Sequence, residues 1–384
     1  MTTSIDSVAL TLFWTSLFLM FYAYLGYPLS LILIGSFKKR IVQKEYIFPL
    51  VTLVITAYNE ENTIGAKLKN TLNIDYPKGK LQIIVASDGS TDNTNRIVYD
   101  LSNMEVELLA LRERMGKENA QKEAIKCSKG NIIVFTDAAT SINRDGLKEI
   151  VANFSDPSIG CVSSEDRLIG RDEHEAGEGM YVKYEMWIRR LESRVNSIVG
   201  MSGSFFAARR EVCMNIPGDL QSDFSTVLNS VRLRLRGVSD PNAIGYYRDI
   251  AEDRLEFDRK VRTVIRGLTV LFRHLEFLNL FKYGIFSYQI FCHKLLRWSV
   301  PLFLLITFVS NILLLNISVL YIVFFICQVL FYGISAWYIM SNSSAASRII
   351  RIPTYFTSVN ISILIAWWRY LKGQRVVMWT PTKR

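Results

Sequence analysis

Hydrophobic and polar residues follow two regimes along this chain. Towards both ends the apolar residues run in long charge-free tracts; in the middle they come in short bursts separated by polar loops. No charge lies within residues 7–37, a tract long enough to cross a bilayer with some tilt. A second tract, 299–347, is too long for one crossing and fits two helices turning near Asn316, Ile317 and Ser318. A third, 352–368, is only marginally long enough and carries Asn360 among several hydroxyls. Residues 269–298 are rich in Phe, Leu and Tyr but broken by Arg273, Glu276, Lys282 and Lys294. That is the pattern of an amphipathic helix lying in the membrane interface, with Trp298 at headgroup depth.

In the middle region the apolar bursts predict buried strands at 50–56, 81–86, 106–111 and 131–136. Helices are expected between them, over 62–72, from Ser90 onwards, and over 116–127. A further strand is expected at 159–163, then a mobile loop through the polar SSEDRLIGRDEHEAGEG, then a long helix from about Glu178. Such alternation builds a doubly wound parallel sheet, whose ligands bind at the C-terminal edge of the strands. Three polar loops fall at that edge, at Asn59-Glu60, at Asp88 and at Asp137. The helix N-termini behind them favour negative charge, which suits a diphosphate. Ile132, Ile133, Val134 and Phe135 run straight into Thr136 and Asp137. A carboxylate there can hold a divalent cation against a phosphate, or simply cap the next turn. Gly-x-Gly-x-x-Gly and GxxxxGK[ST] are both absent, which argues against a dinucleotide dehydrogenase and a P-loop enzyme.

Composition agrees with this division. The 384 residues are 50% hydrophobic with a mean hydropathy of +0.18, suiting one large soluble domain plus lipid-embedded helices. Net charge is +10, and Lys38-Lys39-Arg40 directly follows the first tract. The positive-inside tendency then places the middle region in the cytoplasm and explains the basic excess. Nucleic acid is not expected as a partner, since no basic-aromatic motif appears. The first tract is too long for a secretory signal and lacks its basic start, so it reads as a retained anchor. Five cysteines without paired spacing and three scattered histidines make no zinc site and fit a reducing compartment. Three complete C-terminal crossings would leave the basic tail outside; a tilted, re-entrant or interfacial last segment returns it to the cytoplasm.

The segments AYNEENTI, ASDGSTDNT, GKENAQKEAI and FTDAAT, in that order and spacing, resemble the N-terminal motifs of family 2 glycosyltransferases. The flanking apolar tracts resemble the membrane-bound, polysaccharide-synthase-like branch. This resemblance covers most of residues 50–267 and implies an α/β GT-A (Rossmann-like) nucleotide-sugar-binding domain inserted between transmembrane helices. The implied organisation is an anchor at 1–40, a cytoplasmic GT-A domain at 41–268, interfacial helices at 269–298, and transmembrane helices with a basic tail at 299–384. Carried over by motif, Thr56, Ala57, Tyr58 and Glu60 would line the base. Asp88 would hydrogen-bond it, and Lys117 would lie beside base and diphosphate. Asp137 would be the metal ligand, for Mg2+ or Mn2+. VGMSGSFFAARRE resembles the acceptor-site strand, where Gly203 and Ser204 would let an acceptor sugar approach the backbone. The family's base falls at Ser222-Asp223, making Asp223 the candidate and Asp219 the reserve; Asp223 equally suits the cap of the helix that follows. Arg259, with Arg262, would clamp the leaving diphosphate.

Three positions depart from the family pattern. Asp137-Ala138-Ala139 lacks the second carboxylate of the DxD motif. Where processive synthases carry Gln-x-x-Arg-Trp, this chain has Glu256, Arg259 and Lys260. Lys122 stands where the family more often has Asn, and reads as a solvated helix lysine. The resemblance implies an integral protein of the cell membrane, an inverting transferase. It would move a sugar from a nucleotide-sugar donor, a UDP-sugar, to a polyprenyl-linked or growing glycan acceptor at the cytoplasmic face. Two alternatives remain: a processive polysaccharide synthase that extrudes its product, and a noncatalytic membrane sensor of nucleotide sugars. A transporter is disfavoured because no charge sits within the expected spans.

Overall fold

The first apolar tract forms one long helix, in which α1 (Ser4–Phe21) passes through a π-helical turn, Tyr22–Gly26, into α2 (Tyr27–Phe37). The computed structural model describes residues 4–101, 105–169, 178–248, 253–341, 348–376 and 378. After α2 the chain alternates strand and helix: β1 (Val51–Ala57), α3 (Ile64–Leu72), β2 (Leu81–Ser87), α4 (Thr94–Asp100), β3 (Val106–Ala110), α5 (Lys117–Cys127) and β4 (Ile132–Asp137). Then come β5 (Ser141–Ile142), α6 (Gly146–Ala152), β6 (Ile159–Ile169), α7 (Glu178–Val195), β7 (Phe205–Arg209), α8 (Arg210–Cys213), α9 (Ser222–Arg232) and β8 (Arg236–Arg248).

Among the described residues these strands make one sheet in the order β3-β2-β1-β4-β7-β6-β8-β5. The first four are parallel, as the alternation predicts, but β7 then joins β4 antiparallel and the sheet becomes mixed. The expected all-parallel sheet therefore holds for half of it. Phe135 and Phe206 face each other across the change of direction and stack at 4.8 Å. Both faces of the sheet are dry. Val54, Ile133 and Phe206 pack under α5, α8 and α9, while Leu53, Val134 and Phe205 pack under α3 and α6. Full burial of each such side chain is worth roughly 1.5–3 kcal/mol.

Two expectations change here. The segment SSEDRLI is not a loop: it belongs to β6, which pairs in parallel with β8 as far as Ile169. Residues 170–177, the rest of the expected loop, lie outside the described residues. The partner strand β8 contains Pro241 and had no strand signature; the register shifts between Ser163 and Glu165, and Pro241 falls in the unmatched stretch of β8.

The second half opens with α10 (Asp253–Arg273), followed by α11 (Leu280–Tyr283), α12 (Ile285–Ile290), a π-helical stretch Phe291–Leu296, α13 (Arg297–Leu314), α14 (Val319–Ser341) and α15 (Arg348–Leu371). Three helices among the described residues are long and apolar enough to cross a membrane: Ser4–Phe37, Ile285–Leu314 and Val319–Met340. The amphipathic segment expected over 269–298 is divided by Gly284 at φ 54°, and everything from Ile285 onwards belongs to the second long helix. Helix α15 instead lies along α10. Val261, Ile265 and Ala366 bury one another, Phe272 stacks on Tyr370 at 5.5 Å, and Lys260 sits over the Tyr355 ring at 4.1 Å. Beyond it Arg375 and Val376 share a small cavity with Asp219, Gln221, Arg266 and Arg273. The described part of the tail therefore lies against the sheet domain and α10.

A buried ionic network joins α7 to the long helices. Glu192 accepts from the Tyr27 hydroxyl at 2.5 Å and meets His293 Nδ1 at 2.7 Å. Glu185 lies 3.1 Å from His293 Nε2 and 2.5 Å from Arg297 Nη2. Burial alone would raise the Glu185 pKa, yet Arg297 and His293 hold it well below the usual carboxylate range.

Another buried charge lies under the end of β4. Lys67 of α3 donates to Thr136 Oγ1 at 2.9 Å and to the Thr140 carbonyl at 2.6 Å. Burial lowers its pKa from 10.5 to about 7, against the opposing pull of Asp137. Between pH 7 and 10.5 the unfolded chain binds more protons at this residue than the folded one, so its contribution to stability rises with pH there. Denaturation midpoints of the wild type should therefore gain on those of Lys67→Met across that window; a constant gap would contradict the burial argument. For the tail, a cysteine at position 372 (Lys372→Cys) should react with a membrane-impermeant maleimide from the same side as the exposed native Cys127.

Candidate active site

The loops after β1 and β2 are tied to each other before they meet any ligand. Asn59 adopts φ 52° and its side-chain oxygen accepts from the Thr91 N–H at 2.9 Å. The Glu60 N–H donates to Thr94 Oγ1 at 2.8 Å, and the Glu61 N–H to Asp92 at 3.0 Å. Thr56 is fully buried with Gln121 Nε2 3.5 Å from its hydroxyl, and Ala57 is buried beside it. Tyr58 carries the Arg114 guanidinium 3.8 Å above its ring. The guanidinium covers that face of the ring, and the stacked pair makes a flat edge beside the two loops.

Asp88 has a task the motif did not reveal. It is 1% exposed, and its two oxygens accept from the N–H groups of Met115 and Gly116, both at 2.8 Å. Its carboxylate thus clamps the loop that carries Arg114 and leads into α5. Contact with a base, the role expected from the motif, is secondary to that clamp in this geometry.

Lys117, the first residue of α5, links the two sides of the crevice. Its ammonium pairs with Asp137 Oδ1 and donates to the Gly203 carbonyl at 3.0 Å. The Asp137 N–H in turn donates to the Ser204 carbonyl at 3.1 Å. A Cβ on Gly203 would stand 3.2 Å from Asp223 Oδ2, so a larger residue would push this carboxylate back by a few tenths of an ångström. Asp223 accepts from Gln221 Nε2 at 3.1 Å and from the Phe224 N–H at 2.8 Å; it is not the cap expected as an alternative, since it is the second residue of α9 and the cap position is Gln221. Asp137, Lys117, Gly203, Ser204 and Asp223 therefore form one continuous wall. Asp219, the reserve base, pairs with Arg273 at 2.6 Å on the far side of α9's first turn.

Arg259 and Arg262 arrive from α10. The link is Arg266, whose guanidinium pairs with Glu118, the residue next to Lys117. Burial, then the neighbouring Arg266 and Arg259, lowers the Arg262 pKa below the ordinary arginine range. An arriving diphosphate would relieve that like-charge crowding. Lys260 points elsewhere, pairing with Glu256 and covering Tyr355. Lys122 is exposed, as read from the sequence.

Several residues of the site carried no readable signal. Asp166 of β6 accepts from the hydroxyls of Ser202 and Ser204, at 2.5 and 2.9 Å, and so orients the acceptor strand. It was hidden in a stretch read as loop. Arg114 and Lys67 are placed only by packing. Among the described residues no group of three or more His, Cys, Asp or Glu is arranged to hold a metal. Asp137, with 19% of its side chain exposed at the strand end, fits instead as one carboxylate ligand to a hard cation. The rest of such a shell would have to come from diphosphate oxygens and water, since Asp137 Oδ1 is paired with Lys117.

Comparison with known proteins agrees with this architecture. Residues 52–216 match the model of the family described as Glycosyl transferase family 2. A poly-beta-1,6-N-acetyl-D-glucosamine synthase of Staphylococcus aureus is 28% identical over 194 residues, 49% of this chain and 46% of that protein. A beta-monoglucosyldiacylglycerol synthase of Nostoc sp. is 26% identical over 182 residues, 45% of this chain and 39% of that protein. The chain thus matches a little under half the length of these curated relatives. Among solved structures, a mannosyltransferase from Pyrobaculum calidifontis in complex with GDP-Man and Mn2+ aligns with a TM-score of 0.75. That alignment covers 97% of this chain and 100% of the other at 21% identity, a likeness of fold. Residues 52–216 thus carry a domain that matches the family 2 glycosyltransferases, built on the GT-A fold.

Proposed function

We propose that this protein is a membrane-embedded inverting glycosyltransferase. It moves a sugar from a nucleotide-sugar donor, a UDP-sugar in the first instance, to a lipid-linked or growing glycan acceptor at the cytoplasmic membrane face. The supporting observation is the Lys117 bridge. One ammonium touches both the residue suited to the donor's phosphates, Asp137, and the strand that faces the candidate base, Asp223.

In this reading the base packs beside the stacked Tyr58–Arg114 pair, next to the loop held by the Asp88 clamp, with Thr56, Ala57 and Glu60 around it. Lys117, Arg259 and Arg262 hold the diphosphate. Asp137 would hold Mg2+ or Mn2+, which supplies positive charge to the diphosphate when bound. Asp223 takes the proton from the acceptor hydroxyl as its oxygen forms the new bond to the anomeric carbon. The bond from that carbon to the phosphate oxygen breaks on the opposite face, and the nucleoside diphosphate leaves with the electron pair. Arg259 and Arg262 stabilise the charge that develops there. Addition of one or a few sugars is favoured over processive extrusion because Lys260 is turned towards α15 and provides no stacking platform for an acceptor.

Full-length protein in detergent should melt several degrees higher with the right nucleotide sugar and Mn2+ together, and little higher with Mn2+ alone, since one carboxylate makes a weak metal site. A large shift with metal alone would contradict the shared shell. Asp223→Asn should lower transfer by about 10²–10⁴-fold while keeping the donor-induced shift. Unchanged cellular glycan in that variant would favour the sensor reading instead. Gly203→Ala should slow transfer by displacing Asp223, with donor binding retained.

A further inference from the structure

Most charged side chains in the buried corner between α7 and the second long helix are matched. Glu185 is shared by Arg297 and His293, and Glu192 by His293 and Tyr27. Asp223 is occupied by Gln221 and the Phe224 N–H. Lys294 is the exception. Among the described residues its ammonium has no carboxylate within 4.0 Å and no hydrogen-bond acceptor. It lies over the rings of Phe224 and Trp298, at 5.4 and 5.7 Å. These aromatic faces offset only part of the cost of partly desolvating a cation that has no carboxylate beside it.

The backbone has been cleared for this amine. A Cβ on Gly200 would lie 3.1 Å from Lys294 Nζ. Gly200 opens the segment that ends at Gly203, which faces Asp223, and three residues of chain span at most roughly 10 Å. The lysine therefore stands on the same side as the candidate base, over the ring of Phe224, the residue that follows Asp223. It also sits in the π-helical stretch Phe291–Leu296, an irregularity that often marks a functional position. A neutral sugar hydroxyl would not balance an ammonium; an anion would. Because Lys294 stands on a helix long and apolar enough to cross the membrane, that anion approaches from the lipid side.

We infer that Lys294 is the recognition point for a phosphate carried on a lipid, held between Phe224 and Trp298 at the membrane side of the acceptor strand. This deepens the transferase reading and rests on it for the link to Asp223. The anion enters along the Ile285–Leu314 helix, the ammonium gains its missing partner, and the attached group is aimed at Gly203 and Asp223.

The test uses full-length protein in neutral detergent, titrated with farnesyl phosphate, with farnesol, and with short-chain phosphatidylglycerol, reading the melting temperature. Farnesyl phosphate should stabilise the wild type and farnesol should not. Lys294→Ala should weaken phosphate binding by about tenfold or more, as expected for loss of a charge-assisted contact. Lys294→Arg should retain most of it, and Gly200→Ala should weaken it without changing any charge. Phosphate affinities equal to wild type in Lys294→Ala would overturn the inference. Stabilisation by phosphatidylglycerol alone, with the same dependence on Lys294, would keep the phosphate site and assign it to a bilayer lipid. Nucleotide-sugar shifts on the same samples report separately: their absence in the wild type would sink the transferase reading while leaving the lysine's result intact.

Discussion

The site depends on a single strand register. β7 runs antiparallel to β4 with Phe206 opposite Phe135 and Phe205 opposite Thr136, and this carries the Asp137 N–H to the Ser204 carbonyl. On its other edge β4 pairs with β1, so that Asp137 lies opposite Thr56. A slip of one residue at either edge would move the carboxylate to the wrong face, because successive strand side chains alternate. The stacked phenylalanines hold that register from below. The crevice lies where strands leave β1 in opposite directions, the point at which α/β sheets present their ligand sites.

Charge then connects this crevice to the membrane half. Arg266 on Glu118 docks α10 against the start of α5, and Arg262 and Arg259 follow one and two turns earlier on that helix. Glu185 and Glu192 of α7 dock the first and second long helices through Tyr27, His293 and Arg297. Buried charges hold position only when paired, and removing one partner leaves the other uncompensated. The domain is therefore fixed to its helices by directional contacts that greasy surfaces alone would not supply. That fixed geometry brings Gly200, ahead of β7, against Lys294 of the second long helix.

Much of the first half was legible because its signals are local. Short β-branched runs followed by polar turns gave β1 to β4 and the crevice, and motif order gave the family. The antiparallel half was harder. β8 contains Pro241 and pairs with β6 across a register shift, so no run of alternating residues announced either strand in full. Asp166 was lost with them, since its role comes from hydroxyls on Ser202 and Ser204. Asp88 shows the converse limit: the motif marks it as a site residue, but only the fold reveals that its oxygens are occupied by Met115 and Gly116.

What the sequence determined by itself was composition by segment: which stretches are too apolar for water, which alternate as an α/β sheet, and which carboxylates end strands. Those properties follow from side-chain chemistry and short-range periodicity, and need no knowledge of distant partners. The tertiary structure alone decided which charges find partners. Lys260 turns to α15, Asp219 to Arg273, Lys117 to Asp137 and Gly203, and Lys294 to no carboxylate among the described residues. Each outcome depends on groups far apart in sequence brought within a few ångströms, and electrostatic energy depends on that distance and on burial, neither of which is written in local sequence.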